Sequence, residues 1–238
     1  MLTFLARAFL APIARLIWRP TVIGRENMPA EGPVVVASNH LSFIDSIVIS
    51  LLARRPVSFL AKDEYFTGRG LKGWASRSFF SGVGAIPVTR GAGQAAREAL
   101  DAGLAKLQAG QAFSIYPEGT RSRDGRLYRG KTGVAWLALT AGAPVVPVAL
   151  IGTQHLQPVG SRRIRRVPIT VHFGEPMDLT PFGTADSGRA RRHATDAIMA
   201  RIQSMSGQEY VDRYNEPPPA TVRERVRRFF RARARAEL

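Results

Sequence analysis

Residues 34–52 read VVVASNHLSFIDSIVISLL and place a polar segment between two strongly apolar ones. The first run, Val34–Ser38, is short and rich in β-branched residues, which predicts a buried strand. The second, over about 43–53, is long enough for a helix. His40 and Asp45 therefore stand where a strand ends and a helix begins.

The rest of the chain continues this alternation of strands and helices. Strands are predicted at 21–24, 57–61, 85–89, 112–116, 145–151 and 169–173, and helices at 71–80, 94–108 and 133–141. This order predicts an α/β fold with a mixed, largely parallel sheet flanked by helices. Functional side chains in such sheets lie beyond the carboxyl ends of strands, so residues that follow strands are the candidates.

Composition points to anionic partners. The 238 residues carry a formal charge of +16, which favours nucleic acid, acidic lipid or phosphorylated substrates as partners. The chain has no Cys, which excludes thiolate catalysis and Cys-ligated metal, and its four His lack metal-ligand spacing. We therefore expect no metal.

One uncharged run, residues 134–151, meets the length rule for a transmembrane helix. Its Gly142-Ala143-Pro144 segment stops a helix, and the β-branched residues after it favour a strand. We therefore expect a buried helix, a tight turn and a core strand.

Both ends of the chain carry candidate membrane elements. The predicted helix at 1–19 is apolar, with a stripe of polar residues at Thr3, Arg7, Arg15 and Arg19. This pattern favours a helix lying in a membrane interface, and the alternative is a helix packed on the domain with its arginines solvated.

The basic segment at 216–238 follows the same logic. After Pro217–Pro219, the apolar Val222, Val226, Phe229 and Phe230 share one helical face among many arginines, which favours an anionic leaflet. The alternatives are a disordered basic tail or one that binds an acidic carrier protein or RNA. We divide the chain into 1–19, a main domain at 20–215, and this tail.

His40 and Asp45 allow two interpretations. Ser42 and Asp45 form a capping-box pattern, with Ser42 as N-cap, so the aspartate could serve the helix alone. If His40 lies on the turn before the helix, its ring can instead fold back onto Asp45. A carboxylate that holds one ring nitrogen leaves the other free to accept a proton.

A second polar segment follows the strand at 112–116, and its sequence is Tyr116-Pro117-Glu118-Gly119-Thr120-Arg121-Ser122. A glycine beside hydroxyl groups and an arginine can wrap an oxyanion, and Glu118 can accept hydrogen bonds from a polyol. An ordinary charged turn is the alternative. Arg90 ends a further strand, which begins after Gly84, and Pro147 interrupts the apolar strand at 145–151.

These four segments, in this order, resemble the glycerolipid acyltransferase family typified by 1-acylglycerol-3-phosphate acyltransferase. The family's first motif, Asn-His followed by four residues and Asp, matches Asn39, His40 and Asp45. Its aromatic-Pro-Glu-Gly-Thr-Arg-Ser motif matches 116–122, except that Tyr116 stands where Phe is usual. Its other two motifs match Gly84 to Arg90 and the strand at 145–148.

The resemblance implies an O-acyltransferase with His40 as general base and Asp45 as its partner. It implies that the acceptor's phosphate and glycerol bind to a set of strand-end and loop residues, namely Lys62, Arg90, Glu118, Gly119, Thr120, Arg121 and Lys131. It also implies that the acyl donor is acyl-CoA or acyl carrier protein, that the acceptor is a lysophospholipid, 1-acylglycerol-3-phosphate, whose free hydroxyl is acylated to give phosphatidate, and that no cofactor is needed. We expect attachment to the anionic cytoplasmic face of the cell membrane, peripheral or monotopic, and no nucleic-acid partner.

Three alternatives stay open. Gly91-Ala92-Gly93 after a strand, with Glu118 further on, partly fits the fingerprint of an NAD(P)-dependent oxidoreductase. The charge alone fits a nonenzymatic module that binds DNA or membrane. Within the family, the acceptor could be another lysophospholipid or a glycolipid.

Overall fold

The computed structural model describes residues 2–88, 94–158, 161 and 163–216. Its strands are β1 (Thr21–Ile23), β2 (Val34–Ser38), β3 (Val57–Lys62), β4 (Ala85–Val88), β5 (Ala112–Ile115), β6 (Leu127–Tyr128), β7 (Val145–Ile151), β8 (Thr170–Phe173) and β9 (Tyr210–Val211). Its helices are α1 (Leu2–Trp18), α2 (Asp45–Leu52), α3 (Gly70–Gly82), α4 (Gln94–Gln108), α5 (Gly133–Ala141), α6 (Thr153–Leu156) and α7 (Gly188–Ser206).

Seven strands form one sheet in the order β1-β8-β7-β2-β5-β3-β4. Every neighbouring pair is parallel except β7 with β8, which is antiparallel. The predicted fold class, a mixed and largely parallel sheet flanked by helices, is confirmed. The carboxyl ends of β2, β3 and β5 consequently meet at one edge of the sheet, and each of these strands leads into a predicted site segment.

The central strand β2 is apolar on both faces because helices cover both faces. Its even-numbered Val34 and Val36 pack with α2, and its odd-numbered Val35 and Ala37 pack with α5 and α7. A strand buried in this way is expected to be a continuous apolar run rather than an alternating one. The layers therefore fix the end of β2, and with it the start of the His40 segment.

The uncharged run at 134–151 folds as the sequence predicts. Helix α5 ends at Ala141, Gly142 adopts a left-handed φ of 58°, and β7 begins at Val145. The Ala143 N–H bonds back to the Ala138 carbonyl, so the helix end is closed. Within the described residues, no helix is both long and apolar enough to cross a membrane.

Helix α1 packs on the domain, against α2 and α3, as the alternative interpretation expects. Arg15 and Arg19 are exposed, but Arg7 is not part of the solvated stripe. Arg7 is only 9% exposed, whereas Phe9 and Leu16 on the same helix are 71% and 70% exposed. The prediction for Arg7 is wrong because its guanidinium bonds a carbonyl at the end of α2. The helix thus buries a charge and exposes apolar side chains.

No helix or strand is predicted from the sequence between 174 and 215, where the structure has α7 and β9. Helix α7 covers the face of the sheet opposite α2, and β9 pairs in parallel with β6. Two predicted features lie outside the described residues: the end of the strand at 85–89 with Arg90, and the basic segment at 217–238.

Candidate active site

The site begins at Asn39, directly after β2. The Asn39 side chain is buried, accepts from the Leu150 N–H at 2.8 Å and donates to the Leu150 carbonyl at 2.9 Å. It therefore pairs with the backbone of β7 as an additional strand residue would. This contact fixes the point at which the chain leaves the sheet and enters the His40 turn.

His40 and Asp45 are in direct contact. The His40 Nδ1 lies 2.9 Å from Asp45 Oδ2, which also accepts the backbone N–H groups of Leu41 and Ser42 at 2.7 Å each. A carboxylate oxygen only accepts, so Nδ1 carries the proton, and in the neutral ring Nε2 keeps its lone pair. The expectation that the imidazole folds back onto the acid is confirmed.

Asp45 occupies a position that suits a negative charge. It is fully buried and is the first residue of α2, where the backbone N–H groups of the helix start create a partial positive charge. The His40 side chain is 16% exposed. A buried, fixed carboxylate therefore orients a ring that solvent and substrate can reach.

The predicted N-cap at Ser42 is wrong. Helix α2 begins at Asp45, and its N-cap residue is Ile44, whose hydrocarbon side chain makes no capping hydrogen bond. The Ser42 hydroxyl donates instead to the Gln157 carbonyl at 3.0 Å, a tertiary contact with a distant segment. Asp45 still bonds the Ser42 N–H, so one half of the capping-box pattern is present.

Tyr116 stacks on the His40 ring. The ring centroids lie 3.8 Å apart with an interplanar angle of 10°, and the tyrosine hydroxyl lies 2.7 Å from the Ser46 hydroxyl on α2. Burial, with the nearby Asp45 charge adding to it, raises the pKa of Tyr116 well above 10, so the hydroxyl stays protonated. Tyr116 holds the plane of the imidazole, a role that the sequence analysis did not assign.

Glu118 lies beneath the site and has no exposed surface. One carboxylate oxygen accepts the His40 N–H at 3.3 Å, and the other accepts the Tyr128 N–H at 3.0 Å. Burial raises the pKa of Glu118 to about 7 in spite of these two donors, and the charges of Asp124 and Asp45 add to the rise. The carboxyl group is thus occupied by the protein's own backbone, and it ties the His40 turn to the 116–128 loop.

The loop after β5 turns sharply at Gly119, whose φ of 73° favours glycine. A Cβ at this position would lie 2.9 Å from the Lys131 Nζ, so the Lys131 side chain lies directly over Gly119. The Ser122 N–H donates to the His40 carbonyl at 2.8 Å. This bond holds the loop against the pair His40 and Asp45, here called the dyad. The structure therefore brings Gly119 and Lys131 together beside His40.

The remaining predicted site residues are Thr120, Arg121, Lys62 and Arg90. Within the described residues the Arg121 guanidinium makes no hydrogen bond or ion pair, and the Thr120 and Arg121 carbonyls accept from the Asn215 amide at 3.4 and 3.1 Å. Lys62 ends β3 at the same sheet edge, 38% exposed, with its Nζ 3.6 Å from Glu64. Arg90 lies outside the described residues.

Two residues that follow α7, Gln208 and Asn215, contact the site segments and are not predicted from the sequence. Gln208 accepts from the Asn39 amide at 2.7 Å and donates to the Gly125 carbonyl at 2.7 Å. Asn215 holds the backbone of the Arg121 loop, as described above. No local sequence pattern predicts these contacts, because the partner residues lie more than 80 positions away along the chain.

An apolar cavity of about 270 Å³ lies beside the dyad segment. Its wall includes Phe43 and Ile44, which stand between His40 and Asp45 in sequence, and Leu10 and Ile13 of α1. Phe80 of α3 closes another side. The cavity is therefore shared by the N-terminal helix and the turn that carries the histidine.

Comparison with known proteins gives consistent matches. A protein-family model described as Acyltransferase matches residues 19–151. The chain is 31% identical over 183 residues to the chloroplastic 1-acyl-sn-glycerol-3-phosphate acyltransferase of Brassica napus, covering 74% of this chain and 52% of that protein. It is 27% identical over 186 residues to the 1-acyl-sn-glycerol-3-phosphate acyltransferase of Bacillus subtilis, covering 77% and 86%.

A solved structure has the same fold. The crystal structure of the 1-acyl-sn-glycerophosphate acyltransferase of Thermotoga maritima matches with a TM-score of 0.63 and 25% identity, over 84% of this chain and 80% of that one. The chain spans about half the length of the plant and algal relatives that it matches.

Proposed function

Because this chain belongs to the acyltransferase family, we propose that it transfers an acyl chain from acyl-CoA or acyl carrier protein to the free hydroxyl of 1-acylglycerol-3-phosphate. The product is phosphatidate. The observation that carries this proposal is the 2.9 Å contact between His40 Nδ1 and Asp45 Oδ2. It leaves Nε2 free to act as a base.

The chemistry follows from that geometry. The acceptor hydroxyl loses its proton to His40 Nε2 as its oxygen bonds the thioester carbon, and the carbon–sulfur bond then breaks. The imidazolium is stabilised by Asp45 and returns the proton to the leaving thiolate. General base catalysis of this kind contributes roughly 10²–10⁴-fold to the rate. The chain needs no covalent acyl-enzyme and no cofactor for this route.

The acceptor's phosphate is proposed to bind at the loop after β5. Arg121 has no hydrogen-bonding partner among the described residues, and Lys131 lies over Gly119 beside the dyad. Guanidinium and ammonium groups in such a loop form charge-assisted hydrogen bonds to phosphate oxygens. Thr120, Lys62 and Arg90 are kept as further phosphate ligands. Glu118 acts through the backbone that it holds.

The acyl chain that the acceptor already carries is proposed to enter the apolar cavity between α1, α3 and the turn that carries His40. The cavity wall is almost entirely hydrocarbon, and it begins at Phe43 and Ile44, next to the reacting histidine. Burial of a chain there is favourable by about 0.8 kcal/mol per methylene. One lipid could then hold its phosphate at the loop and its hydrocarbon in the cavity.

Attachment to the membrane is proposed to use both ends of the chain. Phe9 and Leu16 expose apolar surface on α1, and α3 adds Leu71 and Trp74. These side chains suit an interfacial helix, with the basic segment at 216–238 as a second, electrostatic anchor on the cytoplasmic face. In this division residues 20–215 carry the chemistry.

A thiol-release assay with acyl-CoA tests the function. Lysophosphatidate should support thiol release, whereas lysophospholipids with a larger head group and glycolipid acceptors should support little. Thiol release that is equal for all acceptors, or that proceeds equally well without an acceptor, would contradict the assignment of the substrate. No change in nicotinamide absorbance is expected with any of them.

A further inference from the structure

Two arginines from separate elements meet at the C-terminal end of α2, at the end opposite the active site. Arg7 of α1 donates to the Ala53 carbonyl at 2.7 Å, and Arg25, which follows β1, donates to the same oxygen at 3.2 Å. One cation at a helix C-terminus is an ordinary cap for the partial negative charge there. Two on one carbonyl exceed what the helix end balances.

The surrounding charges have the same sign. Burial lowers the pKa of Arg7 to about 10, and the charge of Arg25 contributes. The pKa of Arg25 is lowered by burial and by the charges of Arg15 and Arg54. None of the four arginines forms an ion pair with a carboxylate in the described part of the chain.

Donor groups remain unused in this cluster. The Arg7 Nη1 and the Arg25 Nε are both buried, and neither has a hydrogen-bond partner among the described residues. Arg7 is nine-tenths buried, although it belongs to a helix that exposes Phe9 and Leu16. Burying an unpaired cationic donor is costly unless an anion compensates it, so a helix with apolar residues outside and an arginine inside requires an explanation.

We propose that Arg7, Arg15, Arg25 and Arg54, here called the arginine junction, bind the phosphate group of an anionic membrane lipid. Guanidinium groups match phosphate oxygens in planar, charge-assisted pairs. Phe9 and Leu16 lie on the side of α1 opposite Arg7, where the hydrocarbon of neighbouring membrane lipids can cover them.

This site is distinct from the catalytic one. Helix α2 has eight residues, and at about 1.5 Å per residue the junction lies about 12 Å from Asp45. The bound lipid is therefore not the acyl acceptor.

The test compares variants of the full chain with a matched control. Arg25→Gln and Arg7→Met remove junction donors, and Arg189→Gln removes one charge from an exposed site on α7, in the opposite layer. Binding is measured by cosedimentation with vesicles of equal parts phosphatidylcholine and phosphatidylglycerol, and with phosphatidylcholine alone. Each junction variant should bind the anionic vesicles at least about tenfold more weakly, and the control should be within about twofold of wild type.

A second arm separates lipid from free phosphate. Inorganic phosphate, at constant ionic strength, should raise the Tm of the Arg121→Ala chain, in which the catalytic phosphate site is weakened, and Arg25→Gln should remove that rise. Vesicle binding that depends on Arg25 without any protection by inorganic phosphate would show that the site requires the whole headgroup, which also supports the proposal.

The alternative to lipid binding is that Arg7 serves only as a cap for α2. If Arg7 only caps α2, Arg7→Met will lower the Tm in phosphate-free buffer and leave both phosphate protection and vesicle binding unchanged. That result would overturn the proposal. Under the proposal its Tm without phosphate is maintained or raised, since an unpaired buried charge is removed. Thiol release with detergent-dispersed substrate should persist in every junction variant, so failure here is distinguishable from failure of the proposed function.

Discussion

Replacement of Glu118 by Gln should change how the stability of the protein depends on pH. The carboxyl group is fully buried, and its pKa is raised from 4.5 to about 7. One pKa unit corresponds to about 1.4 kcal/mol, so the folded state binds this proton more tightly than the unfolded state by about 3 kcal/mol. Desolvation of the charge outweighs the two backbone N–H donors.

The sign follows from proton binding. Between pH 4.5 and about 7 the folded chain holds the Glu118 proton while the unfolded chain has lost it, so stability decreases as pH rises. The glutamine of the variant has no proton to lose in this range. The free energy of unfolding of wild type minus that of Glu118→Gln should therefore fall by about 3 kcal/mol across this range and stay constant above it.

Urea unfolding at a series of pH values measures this difference. Glu175→Gln, the same substitution at an exposed position, controls for the loss of one negative charge. A difference between wild type and Glu118→Gln that is flat, or that grows with rising pH, would refute the reasoning. A flat difference would mean that folding leaves the Glu118 pKa unshifted. A growing difference would mean that the ionised carboxylate, held by the N–H groups of His40 and Tyr128, is the preferred buried form.

Three further substitutions test the site. Tyr116→Leu should lower kcat about 2- to 30-fold, because the ring face that stabilises the His40 imidazolium is lost. Tyr116→Phe should keep a kcat near that of wild type. An equal loss of kcat in both variants would exclude stacking as the cause. Gln208→Ala should lower the free energy of unfolding by about 1–3 kcal/mol, because the Asn39 amide loses its acceptor; an unchanged urea midpoint would show that the bridge is dispensable. Arg121→Ala should raise KM for lysophosphatidate about 10- to 150-fold while leaving KM for the acyl donor nearly unchanged; equal effects on both would favour a structural role.

The layered fold is predictable from the sequence because its central strands β2 and β7 are buried on both faces. Continuous apolar runs such as Val34–Ser38 and Val145–Ile151 have few alternatives once their lengths and flanking breakers are considered. Helix α7 is not predicted because half of its buried positions are small residues set among arginines, namely Ala190, Ala194 and Thr195. Its apolar contacts at Ile198, Met199 and Ile202 are spaced for a helix, but the surrounding charge conceals the pattern.

The dyad was predictable because it is local. His40 and Asp45 are five positions apart and meet within one turn. The contacts that position them are long-range: Asn39 with Leu150, and Ser42 with Gln157. Such partners are determined by the tertiary fold, so the Ser42 hydroxyl bonds the Gln157 carbonyl rather than capping the helix as the local pattern predicts.

Arg7 shows the same limit for charge. A helical wheel places arginines toward water by default, and only the packing of α1 on the end of α2 brings the Ala53 carbonyl within reach. The sequence contains the charge but not its partner. The burial of Arg7 is therefore a property of the assembled layers rather than of the helix.

The catalytic role of His40 is tested most directly by the kcat of His40→Ala in the thiol-release assay with acyl-CoA and lysophosphatidate. His193→Ala, an exposed histidine on α7, is the control. The account predicts that His40→Ala folds with nearly unchanged Tm and loses at least about 10²-fold in kcat, while the control retains full activity. A folded His40→Ala protein that turns over at close to the wild-type rate would contradict it.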